Sequence, residues 1–251
     1  MTRKPLIAGN WKMFKTGPEA VNTATQLAEA CTDVTEVDIM IAPAYVCLPL
    51  VSAAITGTRV HLGAQNMHFE SQGAFTGEIS ADMLKAAGVE YVIIGHSERR
   101  QYFFETDETV NKKLQAAVAK GLKPILCVGE TQAQREEGNT FLTLDKQVSD
   151  GLKGVDPEHL QDLVIAYEPV WAIGTGHTAG PDQVTEVHNY LRDLLDKRTT
   201  PDLARTVRIL YGGSVKPDNI AELMRIEDVD GALVGGASLD AETFTEIVKF
   251  D

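Results

Sequence analysis

Cysteine is scarce: three in 251 residues, an odd number that cannot pair off internally. A disulfide-stapled extracellular framework is therefore excluded. No Asn-x-Ser/Thr acceptor occurs, and the opening Met1-Thr2-Arg3-Lys4-Pro5 leads into a short strand pattern rather than an apolar leader. A reducing cytoplasm is the expected location. Basic residues are the minority, 23 Lys+Arg against 36 Asp+Glu, for a net charge of −13. Such a chain repels phosphate backbones at long range, so nucleic acid is not an expected partner. Long apolar runs are missing too. The nearest, residues 39–55, is free of charge but shorter than the ~20 residues a spanning helix needs. Pro43 and Pro49 interrupt it. A buried strand at 37–42 followed by an apolar helix is expected there, and no membrane partner.

What the chain does hold is apolar residues, 43% of the total, enough for a large core and too many for global disorder. The length permits one or two domains. No linker rich in Ser, Gly or Pro divides it, and one domain over 1–251 is expected. Short apolar runs recur at 6–10, 37–42, 59–64, 91–95, 122–128, 163–167, 207–211 and 231–234. Helical patterns lie between them. Val184, Val187, Leu191, Leu194 and Leu195 share one face, as do Val110, Leu114, Ala117 and Val118. Pro181 suits a first turn, and Gly88 and Gly121 stand where helix-ending glycines do. Apolar strands alternating with helices imply a parallel sheet covered by helices. Eight such units predict an α/β fold, a single closed (β/α)₈ barrel. An open doubly wound sheet usually has fewer strands or a second domain. In such barrels the loops after the strand C-termini carry the active site.

The first strand ends in Asn10-Trp11-Lys12. A Lys beside a buried strand either snorkels to the surface or aims a cation into the pocket mouth, and Asn10 either caps a turn or meets a ligand. The fourth ends in Gly95-His96-Ser97-Glu98-Arg99-Arg100. Ser97 is a plausible N-cap there. The positive end of a helix disfavours an imidazolium, so His96 would stay neutral and donate a hydrogen bond, unless it is merely structural. His96-x-Glu98 imitates a zinc deaminase signature, but Cys127 lacks the Pro-Cys-x-x-Cys context. No His and Cys pair has convincing metal spacing, and no metal or organic cofactor is expected.

The sixth strand runs into Tyr167-Glu168-Pro169-Val170-Trp171-Ala172-Ile173-Gly174-Thr175-Gly176. Glu168 is a surface carboxylate or a partly buried general base. The sequel favours the base: Pro169 is rigid, 170–173 is apolar, and Gly174 and Gly176 are free to pivot. That is the composition of a lid that expels water from a site. Gly174-x-Gly176-x-x-Ala179 also imitates a dinucleotide fingerprint, but a loop separates it from the strand end where that motif should begin. Strands seven and eight end in Tyr211-Gly212-Gly213-Ser214-Val215 and Val234-Gly235-Gly236-Ala237-Ser238-Leu239. Each diglycine is a tight turn or a place where backbone N–H groups approach a ligand with no Cβ in the way. Two at successive ends of a barrel favour a phosphate site.

Together these five blocks, in this order, resemble the triosephosphate isomerase family essentially from end to end. The resemblance implies a TIM barrel that interconverts dihydroxyacetone phosphate and D-glyceraldehyde 3-phosphate, a step of glycolysis and gluconeogenesis. It implies that Glu168 moves the proton, that neutral His96 polarises the carbonyl, that Lys12 supplies positive charge and that Asn10 holds the substrate. Gly174, Ser214, Gly235 and Gly236 would bind phosphate, with 169–176 as the lid. His177 stands where most relatives have Lys, which would alter contacts at the lid edge at most. The long stretch 65–78 resembles the loop that docks into a neighbouring subunit, and a homodimer with Thr76 near the loop tip is expected. A Schiff-base aldolase using Lys12 and a non-catalytic sugar-phosphate binder on the same barrel are the competing readings. Lys12, His96 and Glu168 together speak against the binder, which has no use for a base.

Overall fold

The computed structural model describes residues 3–173 and 179–250. Eight parallel strands close into a barrel in sequence order. They are β1 Leu6–Asn10, β2 Asp38–Ala42, β3 Val60–Ala64, β4 Tyr91–Ile94, β5 Lys123–Val128, β6 Val164–Tyr167, β7 Arg208–Tyr211 and β8 Gly231–Val234. Closure comes from the pairing of β1 with β8, Leu6 opposite Gly231 and Gly9 opposite Val234. Several strands start one residue later than the apolar runs suggest. At Leu122, Leu163 and Val207 the backbone N–H is still bonded to the preceding turn, to Ala117, Leu160 and Leu203 in turn. The residue is buried but cannot yet join the ladder. Strand β4 stops at Ile94 because Gly95 turns the chain with φ 76°.

The strands are apolar throughout because both faces are covered. Leu6, Ala8, Met40, Ala42, Tyr91, Ile93, Ile125, Cys127, Val164, Ala166, Leu210 and Leu233 form the filled barrel interior. Their neighbours, such as Ile7, Ile41, Val92, Leu126 and Ile165, point outward into the layer beneath the helices. Gly63 on β3 leaves the room that the Met40 side chain occupies inside the barrel. Period-two alternation then carries the inward row of β1 from Leu6 and Ala8 to Asn10, at the mouth.

The outer layer comprises α1 Gly17–Ala30, α2 Leu48–Ile55, α3 Ala81–Ala86, α4 Ser97–Tyr102, α5 Asp107–Ala119, α6 Gln132–Glu136, α7 Thr140–Leu152, α8 Pro181–Arg198, α9 Pro201–Thr206, α10 Ile220–Leu223 and α11 Ala241–Val248. The apolar face read for α8 is the buried one. Gly88 and Gly121 follow α3 and α5 in the left-handed region, φ 84° and 67°. Helix α8 is anchored at the far end of the barrel from the mouth. Arg192 pairs with Asp228 at 2.8 Å and Asp230 at 2.7 Å, and His188 Nδ1 lies 2.8 Å from the Asp228 carbonyl. Among the described residues, no helix is long and apolar enough to cross a membrane.

Candidate active site

A cavity of about 270 Å³ opens at the C-terminal mouth of the barrel. Its walls include Asn10, Lys12, His96, Glu168, Ser214, Gly235 and Gly236, so the described residues singled out in the sequence for catalysis and phosphate binding converge on one space. Gly174, Thr175, Gly176 and His177 lie outside the described residues.

The β1 corner is built around a strained lysine. Lys12 has φ 51°, left-handed for a residue with a Cβ, a conformation costing on the order of 1–3 kcal/mol. Its backbone is held there from two sides. Lys12 N donates to Asn10 Oδ1 at 3.1 Å, and Gln65 Nε2 donates to the Lys12 carbonyl at 2.8 Å and to the Ala42 carbonyl at 2.9 Å. The ammonium meets Glu98 Oε1 at 2.5 Å. The half-buried lysine is thereby charged, paired and aimed at the cavity.

The turn after β4 corrects one expectation. Ser97 does not cap α4; His96 does. Its Nδ1 accepts the Glu98 backbone N–H at 3.2 Å. A ring nitrogen that accepts carries no proton, so His96 is the neutral tautomer with its proton on Nε2. That N–H points at Glu168 Oε1, 3.0 Å away. Ser97 instead serves Glu168: its backbone N–H donates to Oε2 at 2.9 Å and its hydroxyl to Oε1 at 3.3 Å.

Glu168 extends the end of β6, where its N–H donates to the Val128 carbonyl at 2.7 Å. The carboxylate is buried, 2% exposed, and donors surround it. Two glycines shape the space it occupies. A Cβ on Gly129 would strike the Glu168 carbonyl, and one on Gly212 would come within 2.9 Å of Glu168 Cγ. Beneath lies Cys127, whose thiol is pushed well above its ordinary pKa by burial and by the Glu168 carboxylate. It stays a neutral neighbour of the Glu168 carboxylate.

The described residues after Glu168 are tethered by an acid that the sequence reading did not single out. Pro169 leads into a single 3-10 turn, Val170–Ala172. Glu130 Oε1 accepts from Trp171 Nε1 at 2.9 Å, Tyr167 Oη at 3.1 Å and Arg135 Nη1 at 2.8 Å. Arg135 also lies over the Trp171 ring, 4.9 Å from its centre. Burial, then the Glu130 charge, raises the Tyr167 phenol pKa and keeps it a donor. Glu130 follows a strand end as Glu168 does, and inspection of the fifth strand end would have found it.

On the opposite wall, Gly235 comes close to Lys12, where a Cβ would lie 3.3 Å from Lys12 Cε. Gly236 opens the 3-10 turn Gly236–Leu239, and Ser238 N and Oγ both bond the Gly235 carbonyl, at 2.8 and 2.7 Å. Lys216 and Asn219 were not foreseen. Lys216 lines the cavity, and Asn219 braces its loop by accepting from Lys216 N at 2.8 Å and donating to the Ser214 carbonyl at 3.0 Å. Among the described residues no group of His, Cys, Asp and Glu is arranged to hold a metal ion.

The family model described as triosephosphate isomerase matches residues 5–251. A protein named triosephosphate isomerase from Carboxydothermus hydrogenoformans is 56% identical, with 98% of each chain covered. Another of that name from Endomicrobium trichonymphae is 54% identical over 99% of each. Among solved structures, the triosephosphate isomerase of Bartonella henselae superimposes with a TM-score of 0.88 at 40% identity, covering 97% of each chain.

Proposed function

The chain belongs to the triosephosphate isomerase family and interconverts dihydroxyacetone phosphate and D-glyceraldehyde 3-phosphate, and we propose that Glu168, His96, Lys12 and Asn10 carry the reaction. The reaction is a step of glycolysis and gluconeogenesis. The observation that carries the assignment is the buried Glu168 carboxylate facing the Nε2–H of a neutral histidine across one cavity.

Glu168 takes a proton from the hydroxymethyl carbon of the ketose. The electron pair of that C–H bond forms a carbon–carbon double bond, and the carbonyl pair moves onto oxygen. His96 Nε2–H donates to the developing oxyanion, with Lys12 adding positive charge and Asn10 holding the substrate. The hydroxyl proton passes between the two oxygens, and Glu168 returns its own proton to the neighbouring carbon, giving the aldehyde. His96 Nε2–H cannot serve Glu168 and a substrate oxygen at once. The base therefore leaves Ser97 and His96 when substrate enters. Ser214, Gly235 and Gly236, with Gly174 of the lid, bind the phosphate, and closure of 169–176 excludes water from the enediolate.

The test is a coupled assay with glyceraldehyde 3-phosphate on wild type and Glu168→Gln. The variant is expected to lose ~10²-fold or more in kcat, because it lacks the base. A variant as active as wild type would remove Glu168 from the mechanism. The aldolase reading needs a neutral, nucleophilic Lys12, and the 2.5 Å contact with Glu98 opposes it.

We further infer that residues 1–251 act as one domain in a cytoplasmic homodimer. Free, buried Cys31, Cys47 and Cys127 suit a reducing compartment. Exposed Met13, Val46, Phe75, Phe103 and Phe104 supply the apolar surface a partner would cover. The 65–78 loop, with exposed Thr76, would reach the neighbour's cavity beside its Asn10 and Lys12.

A further inference from the structure

Two ammonium groups line the cavity, Lys12 and Lys216, and they are not in the same electrostatic state. Lys12 is paired with Glu98 at 2.5 Å. The Lys216 ammonium is exposed and, among the described residues, has no carboxylate within ion-pair distance. Asp218 and Glu222 share with it the wall of an adjoining cleft but do not hold it. Counted with its Glu98 partner, Lys12 adds no net charge to the resting cavity, and Glu168 leaves it with one negative charge. Lys216 is what brings it back to neutral. That balance matters for a substrate carrying a phosphate of about −1.5 to −2 charge at neutral pH, on a chain whose own net charge is −13.

The backbone that carries Lys216 is fixed. Asn219 clamps the Lys216 N–H and the Ser214 carbonyl together, at 2.8 and 3.0 Å. Pro217 confines the residue before it to extended conformations. The charge is thus tethered beside Ser214, which lines the same cavity.

Building on the isomerase reading, we propose that Lys216 is a second cation, beside Lys12, that draws the phosphorylated triose into the cavity and adds to its selection over the unphosphorylated sugar. The attraction acts equally on bound substrate and transition state, so it shows in KM more than in kcat. It is long-ranged and solvent-exposed, so salt weakens it.

The test compares wild type, Lys216→Met and Lys216→Arg, with glyceraldehyde 3-phosphate as substrate and KCl varied from about 10 mM to about 0.5 M. Lys216→Met is expected to lose roughly three- to tenfold in kcat/KM at low salt, mostly through KM, with the gap closing at high salt. Lys216→Arg is expected to keep most of the wild-type salt dependence. With unphosphorylated D-glyceraldehyde the loss in Lys216→Met should stay below about twofold, because no dianion is present. Parallel salt curves for wild type and Lys216→Met, or an equal loss with both sugars, would overturn the proposal. A wild-type protein without isomerase activity would instead overturn the reading of the site, whatever Lys216 does.

Discussion

One methyl group on Gly212 would crowd the Glu168 side chain. A Cβ there lies 2.9 Å from Glu168 Cγ and 3.0 Å from the Tyr167 carbonyl, closer than packed carbons sit. Gly212→Ala is expected to displace Glu168 and lower kcat on the order of tenfold or more, while the melting temperature, set by the core, moves little. Steady-state kinetics beside a thermal melt check this; an unaltered kcat would mean that the carboxylate position tolerates crowding. At this scale the sequence marks which residues stand at strand ends, and so Asn10, His96, Glu168 and Ser214 are legible. It does not show that Ser97 serves Glu168 rather than capping α4, or that Glu98 pairs with Lys12. Those contacts join residues 71 and 86 positions apart along the chain. Only barrel closure brings them within reach.

Helix α8 carries a buried histidine that makes the fold sensitive to acid. Burial pushes the His188 pKa down to about 4, while Asp228, Asp230 and Arg192 surround it. The unfolded chain takes up that proton near pH 6.5, before the folded one does. Stability contributed by neutral His188 is therefore full above about pH 6.5 and falls as pH drops toward 4, by about 3 kcal/mol in all. Urea midpoints of wild type should decline between about pH 7 and about pH 4.5, and those of His188→Asn should decline less steeply over that range. Parallel curves for the two proteins would assign the acid sensitivity to other groups. The helix itself was legible from its apolar spacing and Pro181. The partner of His188 was not, because the Asp228 carbonyl belongs to a turn 40 residues further along the chain.

The whole molecule exposes more large apolar side chains around the mouth than the proposed reaction uses. Phe104 is 88% exposed on a left-handed backbone, φ 55°, and Met13 and Val46 are 94% and 83% exposed. Sedimentation at micromolar concentration should give about twice the 27.3 kDa chain mass. Replacing Phe104 with Glu should shift the protein toward monomer, because an unpaired charge would be buried in the interface. A wild-type monomer at that concentration would sink the dimer proposal.

The sequence by itself determined the barrel. Strands buried on both faces must be apolar throughout, and eight of them alternating with amphipathic helices leave little other architecture. It also marked the strand ends where polar residues and glycines gather, since a buried strand carries such residues only where it leaves the core. The pairing of those residues was decided by tertiary structure alone. Closing the barrel sets His96 against Glu168, Glu98 against Lys12 and Trp171 against Glu130, and leaves Lys216 without a counter-ion among the described residues. Short-range periodicity encodes which face of an element is buried. It does not encode which polar groups from distant elements meet at the mouth, because that depends on strand order, register and the direction of each turn.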